Sequence, residues 1–473
     1  MLLTKRKTMS LTEGAILPRM LVFILPLMLS NLLQILYNAA DMMVVGLSSA
    51  ENAVGAIGTT ASFLSLIVNV FIGFSVGANV MVARQLGAKE YDRVSRTVHT
   101  SMSVSVLFGL AAVLVGIPLS RPILILMGAE EELLELAVLY TRIYLLGVPF
   151  TSVANYAIAI LRAKGDTATP LMVLSLTGLA NVGLNLFFVL VCGMSVEGVA
   201  LATMIASLLN AVILVTKLAR ADDVCRFSFR KLCLDRRAFI DVLYVGLPSG
   251  VQSALFSLSN IVIQSSILRV NNATVPPGSA YQPVINGNSA AANLENFAFT
   301  AINAVHQGIV TFTGQNAGAG RYDRVKRILW QGILFSGGVA LFFTLLIYFL
   351  RVPLFSLYGV VDGGEGTVDH LAFLAAYKRV IYHLLPLTLY GILDACNAVA
   401  RGLKKVISAT LITLIGTCLL RVVWIATVFE YYETLESIYL SYPLSWLLTA
   451  TVQFIMVTVV LRGYLRTGRR EKA

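Results

Sequence analysis

LPLMLSNLLQILYNAAD, residues Leu25 to Asp41, reads as an apolar helix carrying one polar face. Asn31, Gln34, Asn38 and Asp41 follow one another at offsets of three, four and three, with Tyr37 beside them. That spacing lines them along one side of an α-helix. The stripe ends on a carboxylate in sequence apolar enough for lipid depth. An ionisable group in hydrocarbon costs about 2.5 to 3.5 kcal/mol on insertion scales, so it normally faces a protein interior or a wet cavity and marks a transport path. The plainer reading sets Asp41 just past the helix end, at the membrane surface, where its charge costs little. Against that, MMVVG continues apolar beyond Asp41, which makes Asp41 the leading candidate for function.

The rest of the composition agrees with a membrane setting. The chain has 473 residues, 57% of them hydrophobic and only 13% charged, where a soluble chain carries nearer a quarter charged residues. An all-α integral membrane protein follows. The net charge of +11 is explained by basic residues gathered in a subset of loops, as the positive-inside rule requires, so no nucleic-acid partner is needed. Five cysteines stand scattered, odd in number and without CxxC spacing, which argues against a disulfide framework or a zinc site. The first apolar segment is too long for a signal peptide and is read as retained.

Asking for about 20 apolar residues per crossing gives about twelve transmembrane helices. They fall near 18–46, 53–82, 97–118, 133–161, 169–192, 196–219, 238–269, 288–314, 329–350, 373–400, 405–430 and 436–463. Charge alternates between the connections. Lys5, Arg6 and Lys7, then Arg84, Lys89, Arg93 and Arg96, and later Arg226, Arg230 and Lys231 fall on one side, with Arg469, Arg470 and Lys472 at the tail. Glu130, Glu131 and Glu132, Asp362 and Glu365, and Glu433 and Glu436 fall on the other. Both termini are therefore expected in the cytoplasm.

GAKEYDRVSR at Gly87–Arg96 returns as GAGRYDRVKR at Gly318–Arg327, and LPLMLSNLLQILYN at Leu25 is echoed by LPSGVQSALFSLSN at Leu247. Each half holds six helices, so the repeats run parallel, as in a two-lobed transporter. The expected division is a lobe at 1–220, a cytoplasmic linker at 221–237 and a lobe at 238–473. Asn271 to Ser289, rich in Pro, Gly and Asn, reads as a mobile external loop without counterpart in the first half. In the paired GAxxYDRVxR connections, Gly ends one helix and Asp is expected to cap the next.

Candidate chemistry divides between the lobes. Asn181 and Asn185 share a face of the fifth helix and Thr203 lies in the sixth. With Asp41 and Asn38 they offer the carboxylate, amide and hydroxyl oxygens that a hard monovalent cation such as sodium prefers. Small polar residues also serve simply to join helices in lipid, and both readings stand. In the second half Glu295, Asp394 and Arg421 fall inside the eighth, tenth and eleventh helices. One acid is expected to pair with Arg421, most simply Asp394, leaving Glu295 as a free titratable group. His99, His306, His370 and His383 are isolated and read as packing or interfacial residues. No GxxxxGK[ST] motif occurs, so nothing points to ATP hydrolysis.

Several of these pieces occur together and in order: PLMLSNLLQILYNAADMMVVG, the paired GAxxYDRVxR loops, ILRAKGDTATPLM leading into NVGLNLFF, VEGVALAT, GNSAAANLENF, TGQNAGAG and LIGTCLLRVVWI. With them the chain resembles the multidrug and toxic compound extrusion (MATE) family over nearly its full length. The resemblance implies two six-helix lobes in a V around a central cavity, exporting organic, mostly cationic compounds in exchange for inward sodium ions or protons. It carries a cation-site role onto Asp41, matches Asn181, Asn185 and Thr203 to other polar positions of that site, and matches Glu295 and Asp394 to acids of the second lobe. Many members of the family have an acid where Asn185 stands, and GLKKVISA after Arg401 replaces the GDTxxP pattern of the first half.

The expected function is an alternating-access antiporter, not an enzyme, needing no cofactor beyond its coupling ion. It is expected as a monomer in a bacterial inner membrane, with small drug-like molecules and the bilayer as partners. A flippase for lipid-linked sugars from the same superfamily would want a more basic cavity. A membrane-embedded enzyme would want an acid or histidine dyad at an interface.

Overall fold

A computed structural model describes residues 10–46, 53–127, 131–275 and 281–470, and among these the chain is helix and loop with no strand. Lys5, Arg6, Lys7, Glu130 and Lys472 lie outside the described residues. The first half comprises α1 (Ile16–Gly46), α2 (Ala53–Gly87), α3 (Tyr91–Leu126), α4 (Glu131–Ala163), α5 (Ala168–Leu186) and α6 (Val196–Ala219). The second comprises α7 (Arg236–Thr274), α8 (Pro283–Gly318), α9 (Tyr322–Phe349), the short α10 (Arg351–Ser356), α11 (Val368–Arg379), α12 (Leu387–Gly402), α13 (Val406–Thr413), α14 (Leu420–Trp424), α15 (Glu430–Tyr432) and α16 (Leu435–Arg470). Wide π-helical turns join α11 towards α12 and run between α13, α14 and α15, so these pieces form two interrupted rods, Val368–Gly402 and Val406–Tyr432.

Ten helical segments among the described residues are long and apolar enough to cross a bilayer. The eighth and tenth expected crossings are present as helices but are not among the ten, since α8 carries Asn286, Asn288, Asn293 and Glu295 and the rod Val368–Gly402 carries Lys378, Arg379 and His383. Their polarity is the first sign of where the second half concentrates its chemistry. Several helices outrun the expected limits, because charged turns such as Asp92 to Arg96 are helical yet too polar to count as lipid-facing.

The repeat is visible in local geometry. α2 ends on Gly87 and α8 on Gly318, and the next helix starts at Tyr91 or Tyr322. Each turn takes one left-handed residue two places after the glycine, Lys89 at φ 60° and Gly320 at φ 67°. Gly87 packs against the Gln315 backbone and Gly318 against that of Arg84, and any side chain would collide there. Asp92 does not cap α3, and Asp323 does not cap α9. The cap positions are Glu90 and Arg321, and the two aspartates sit in the first turn, where a carboxylate favours the helix dipole.

The expected loop at Asn271 to Ser289 is mostly helix. α7 runs to Thr274 and α8 begins at Pro283, with Asn271 Oδ1 accepting from the Val284 amide at 3.2 Å. Residues 276–280 of that stretch lie outside the described residues.

The chain divides into two compact units, Met1–Ser253 with Gly314–Ala319, and Ala254–Thr313 with Gly320–Ala473. In the first, α4 packs on α2, α3 and α6, and α5 packs on α1 and α6. Val44 and Val45 at the end of α1 enter a core with Leu134, Tyr140, Val189 and Val199. In the second unit α12 packs on α9 and α16.

Candidate functional site

Asp41 lies inside α1, five residues before its end, so it is not a surface group beyond the helix. It is half-buried, and Asn185 of α5 donates its Nδ2 to Asp41 Oδ1 at 2.5 Å and to Asn181 Oδ1 at 3.5 Å. The expected shared face of Asn181 and Asn185 is therefore present and meets Asp41. Asn185 is fully buried, and its Oδ1 has no hydrogen-bond partner, nor has the buried hydroxyl of Thr203 on α6. No described contact joins Thr203 to Asp41. Gln34 and Asn38 are exposed and make no described hydrogen bond to it. Tyr37 is held apart from the carboxylate: its hydroxyl donates to the Ser175 carbonyl at 3.3 Å and its ring fills the space a side chain would need at Gly178.

Two residues that sequence reading passed over belong here. Tyr140 and Tyr144 of α4 lie within electrostatic reach of Asp41, their rings 6.0 Å apart. Among the described residues no cation pairs with Asp41. What surrounds it is amide and phenol, a donor set suited to a hard monovalent ion or a proton and unsuited to a soft metal.

The second unit is built differently. Glu295 of α8 is not free. It is buried, and its Oε2 accepts from Arg379 Nε at 2.9 Å and Nη2 at 2.8 Å. Its Oε1 lies 2.9 Å from His383 Nδ1. Arg379 also donates from Nη1 to Asn288 Oδ1 at 2.6 Å, and Tyr439 donates to the same oxygen at 2.9 Å. The interruption in the rod explains the placement. Pro386 cannot continue the amide ladder, a π-helical turn over Val380–Leu384 precedes it, and Thr344 of α9 donates to the Leu384 carbonyl at 3.0 Å. That geometry sets Arg379 and His383 together towards α8.

Arg421 pairs with neither acid, which corrects the expected ion pair. Asp394 is taken instead by His306, whose Nδ1 lies 2.9 Å from Asp394 Oδ1. Arg421 donates from Nε to Ser445 Oγ at 3.0 Å and lies over the rings of Tyr442 and Trp446. The histidines read as isolated are engaged too. His383 contacts the buried Glu295, His306 the partly buried Asp394 and His370 the exposed Asp362, and His99 accepts from the Ser228 amide and locks the connection after α6. Arg379 and the two buried histidines carried a signal in the sequence, being cationic or titratable side chains at lipid depth, but spacing alone does not say which acid each meets. No cluster of three or more His, Cys, Asp or Glu able to hold a metal occurs among the described residues.

A half-buried acid in one bundle and a buried acid and base cluster in the other, each on a repeat of the same six-helix plan, coincide with a known sequence pattern. The pattern of the MatE family matches residues 26–187 and again 248–427, once in each half. The chain belongs to the MatE family. Relatives include a probable multidrug resistance protein, YoeA, of Bacillus subtilis, 26% identical over 90% of this chain and 89% of that one. The multidrug export protein MepA of Staphylococcus aureus is 25% identical over 69% of this chain and 71% of its own. Among solved structures, a MOP superfamily transporter from Pyrococcus furiosus superposes with a TM-score of 0.87 at 20% identity, covering 97% of this chain and 99% of that one. An outward-facing multidrug resistance MATE transporter superposes at 0.85 and 20% identity, covering 98% and 100%. This MatE chain is thus a multi-pass membrane protein of the transporter fold, and its family consists of transporters rather than enzymes.

Proposed function

We propose that the chain is a secondary active multidrug efflux antiporter, exporting organic, mostly cationic molecules in exchange for an inward sodium ion or proton. The observation that carries this reading is Asp41, a carboxylate within a membrane-spanning helix, held by an amide donor and paired with no cation among the described residues. A carboxylate so placed favours a small cation that arrives and leaves. Asn185 Oδ1 and the Thr203 hydroxyl, both buried without partners, supply further oxygens in the same unit. The names carried by the Bacillus and Staphylococcus relatives support drug-like cargo.

In this mechanism cation uptake at Asp41 favours one orientation of the helices and cargo competes for the other. The chain works as a monomer in a bacterial cytoplasmic membrane, with both termini inside and no cofactor. Moving one charge through 100 mV releases about 2.3 kcal/mol, against about 1.4 kcal/mol for a tenfold solute gradient, so one coupled ion suffices. The test is ethidium efflux from proteoliposomes with sodium and pH gradients imposed separately. Efflux driven by one gradient and lost in Asp41→Asn is expected. Full efflux by that variant rejects the assignment.

A further inference from the structure

The connection between α6 and α7, residues 220–235, is pinned along the side of α3. The Ser228 amide donates to His99 Nε2, Ser103 Oγ donates to the Cys233 carbonyl, and the Asp235 amide donates to Thr100 Oγ1, each at 3.1 Å. Phe227 is buried, its ring stacked on His99 with 5.6 Å between centres. Asp235 Oδ1 then accepts from the Ala238 amide at 2.9 Å at the start of α7. These contacts settle which side chains face inward. Phe229, Leu232 and Leu234 are left outward, 69%, 45% and 53% exposed. A segment fixed at so many points that still holds three large apolar side chains in the open is built to meet an apolar surface.

Depth and charge say which surface. His99 and Ser103 lie eight and twelve residues into α3 from Tyr91, about 12 and 18 Å along its axis. The next exposed apolar side chains on α3 are Val106 and Leu107, about 5 Å further on, and Ile240 opens the same kind of surface on α7. The connection thus runs beside the point where lipid-facing helix begins. Arg226, Arg230, Lys231, Arg236 and Arg237 are all exposed there, and none makes a described ion pair, whereas Lys164 is held by Asp223. Basic side chains interleaved with Phe and Leu at the polar edge of a bilayer match phosphate above and acyl chain below. We propose that the segment Arg226–Arg237 is a binding surface for anionic phospholipid, with Phe229, Leu232 and Leu234 entering the acyl boundary. The surface goes beyond the export reading and is independent of cargo and coupling ion.

Phe229→Trp supplies the reporter, its emission taken as the difference from the parent chain, which carries three tryptophans of its own. The full-length protein is reconstituted in phosphatidylcholine vesicles in which a fixed share of the lipid, phosphatidylglycerol or phosphatidylcholine, has brominated chains. Both leaflets carry that lipid, so the result does not depend on which side the connection faces. Brominated phosphatidylglycerol is expected to quench the reporter with about tenfold higher relative association than brominated phosphatidylcholine, and the ratio is expected to fall as salt rises. Arg230→Gln, Lys231→Gln, Arg236→Gln and Arg237→Gln together are expected to bring the two lipids to parity. Arg226 stays, because its Nε donates to the Ala219 carbonyl at 3.1 Å. Equal quenching by the two lipids before those substitutions overturns the proposal, as does a preference that survives them. A reporter quenched by aqueous acrylamide and by neither brominated lipid also overturns it, since the surface then faces water and a soluble partner. So does a preference erased by inorganic phosphate at constant ionic strength, because the cations then hold a free anion. If the fourfold variant does not fold, the salt dependence of the reporter protein decides, and a ratio unmoved by salt counts against the proposal.

Discussion

The two units bury their acids in opposite ways. Asp41 in the first is held by the Asn185 amide, with Tyr140 and Tyr144 within electrostatic reach and no described cation beside it. Glu295 in the second is clamped by a guanidinium through two hydrogen bonds and touched by an imidazole. A carboxylate that has its counter-ion built in gains little from a passing cation, because the incoming ion must displace Arg379 from a pair worth several kcal/mol of desolvation to rebuild. One that lacks a built-in partner is left open to an ion from solution. The repeat thus supplies two copies of one scaffold, one holding an acid with no described counter-ion and the other a fixed charge array.

This difference predicts different failures for similar substitutions. The largest effect is expected at Asp41: Asp41→Asn keeps the hydrogen-bonded shape and removes the charge, so coupled efflux falls to background while the unfolding temperature of the purified protein hardly changes. Glu295→Gln is expected to act through stability, since it strands Arg379 in the interior at a cost of about 3 to 5 kcal/mol. Arg379→Met combined with Glu295→Gln then recovers much of the loss in a thermal unfolding series. If Glu295→Gln leaves stability intact and abolishes coupling, the contrast between the units is wrong. Asp394→Asn is milder, about 1.5 to 3 kcal/mol for a hydrogen bond to a charged group. A double-mutant cycle with His306→Gln measures that coupling, and strict additivity would show the 2.9 Å contact to be energetically idle.

Much of this was legible in the sequence. Apolar length and loop charge report the number of crossings, and the duplicated GAxxYDRVxR motif reports the repeat, because both depend on local sequence. Asp41 and the Asn181 and Asn185 pair were readable for the same reason, lying on helix faces set by spacing. The partners in the second half were not. Which acid meets Arg379, His383 or Arg421 depends on how α8, the broken rod and α16 pack, and the break at Pro386 shifts the helical phase that a spacing argument needs. Arg421 and Asp394 looked like a pair because opposite charges at lipid depth should find each other. Histidine and aromatic rings, weaker signals in a sequence, took those places. The loop at Asn271 to Ser289 was misread because Asn, Pro and Gly are turn formers in water, whereas here helices continue through most of them.

The smallest expected effect separates the two repeats at their shared turn. Lys89 and Gly320 occupy matching positions with φ near +60°, where a residue with a Cβ pays about 1 to 2 kcal/mol and glycine pays nothing. Both residues are exposed, and a Cβ at Gly320 meets open space, so backbone conformation alone is at stake. Gly320→Lys is therefore expected to lower stability by about 1 kcal/mol. Lys89→Gly recovers the same strain but gives the unfolded chain about 0.4 to 1 kcal/mol of extra entropy, so its net gain is smaller than the loss at Gly320. Thermal unfolding of the two variants side by side should show shifts of opposite sign and unequal size. Equal shifts in the same direction would mean that the two turns are not conformational equivalents, and the parallel drawn between the repeats would fail at its most local point.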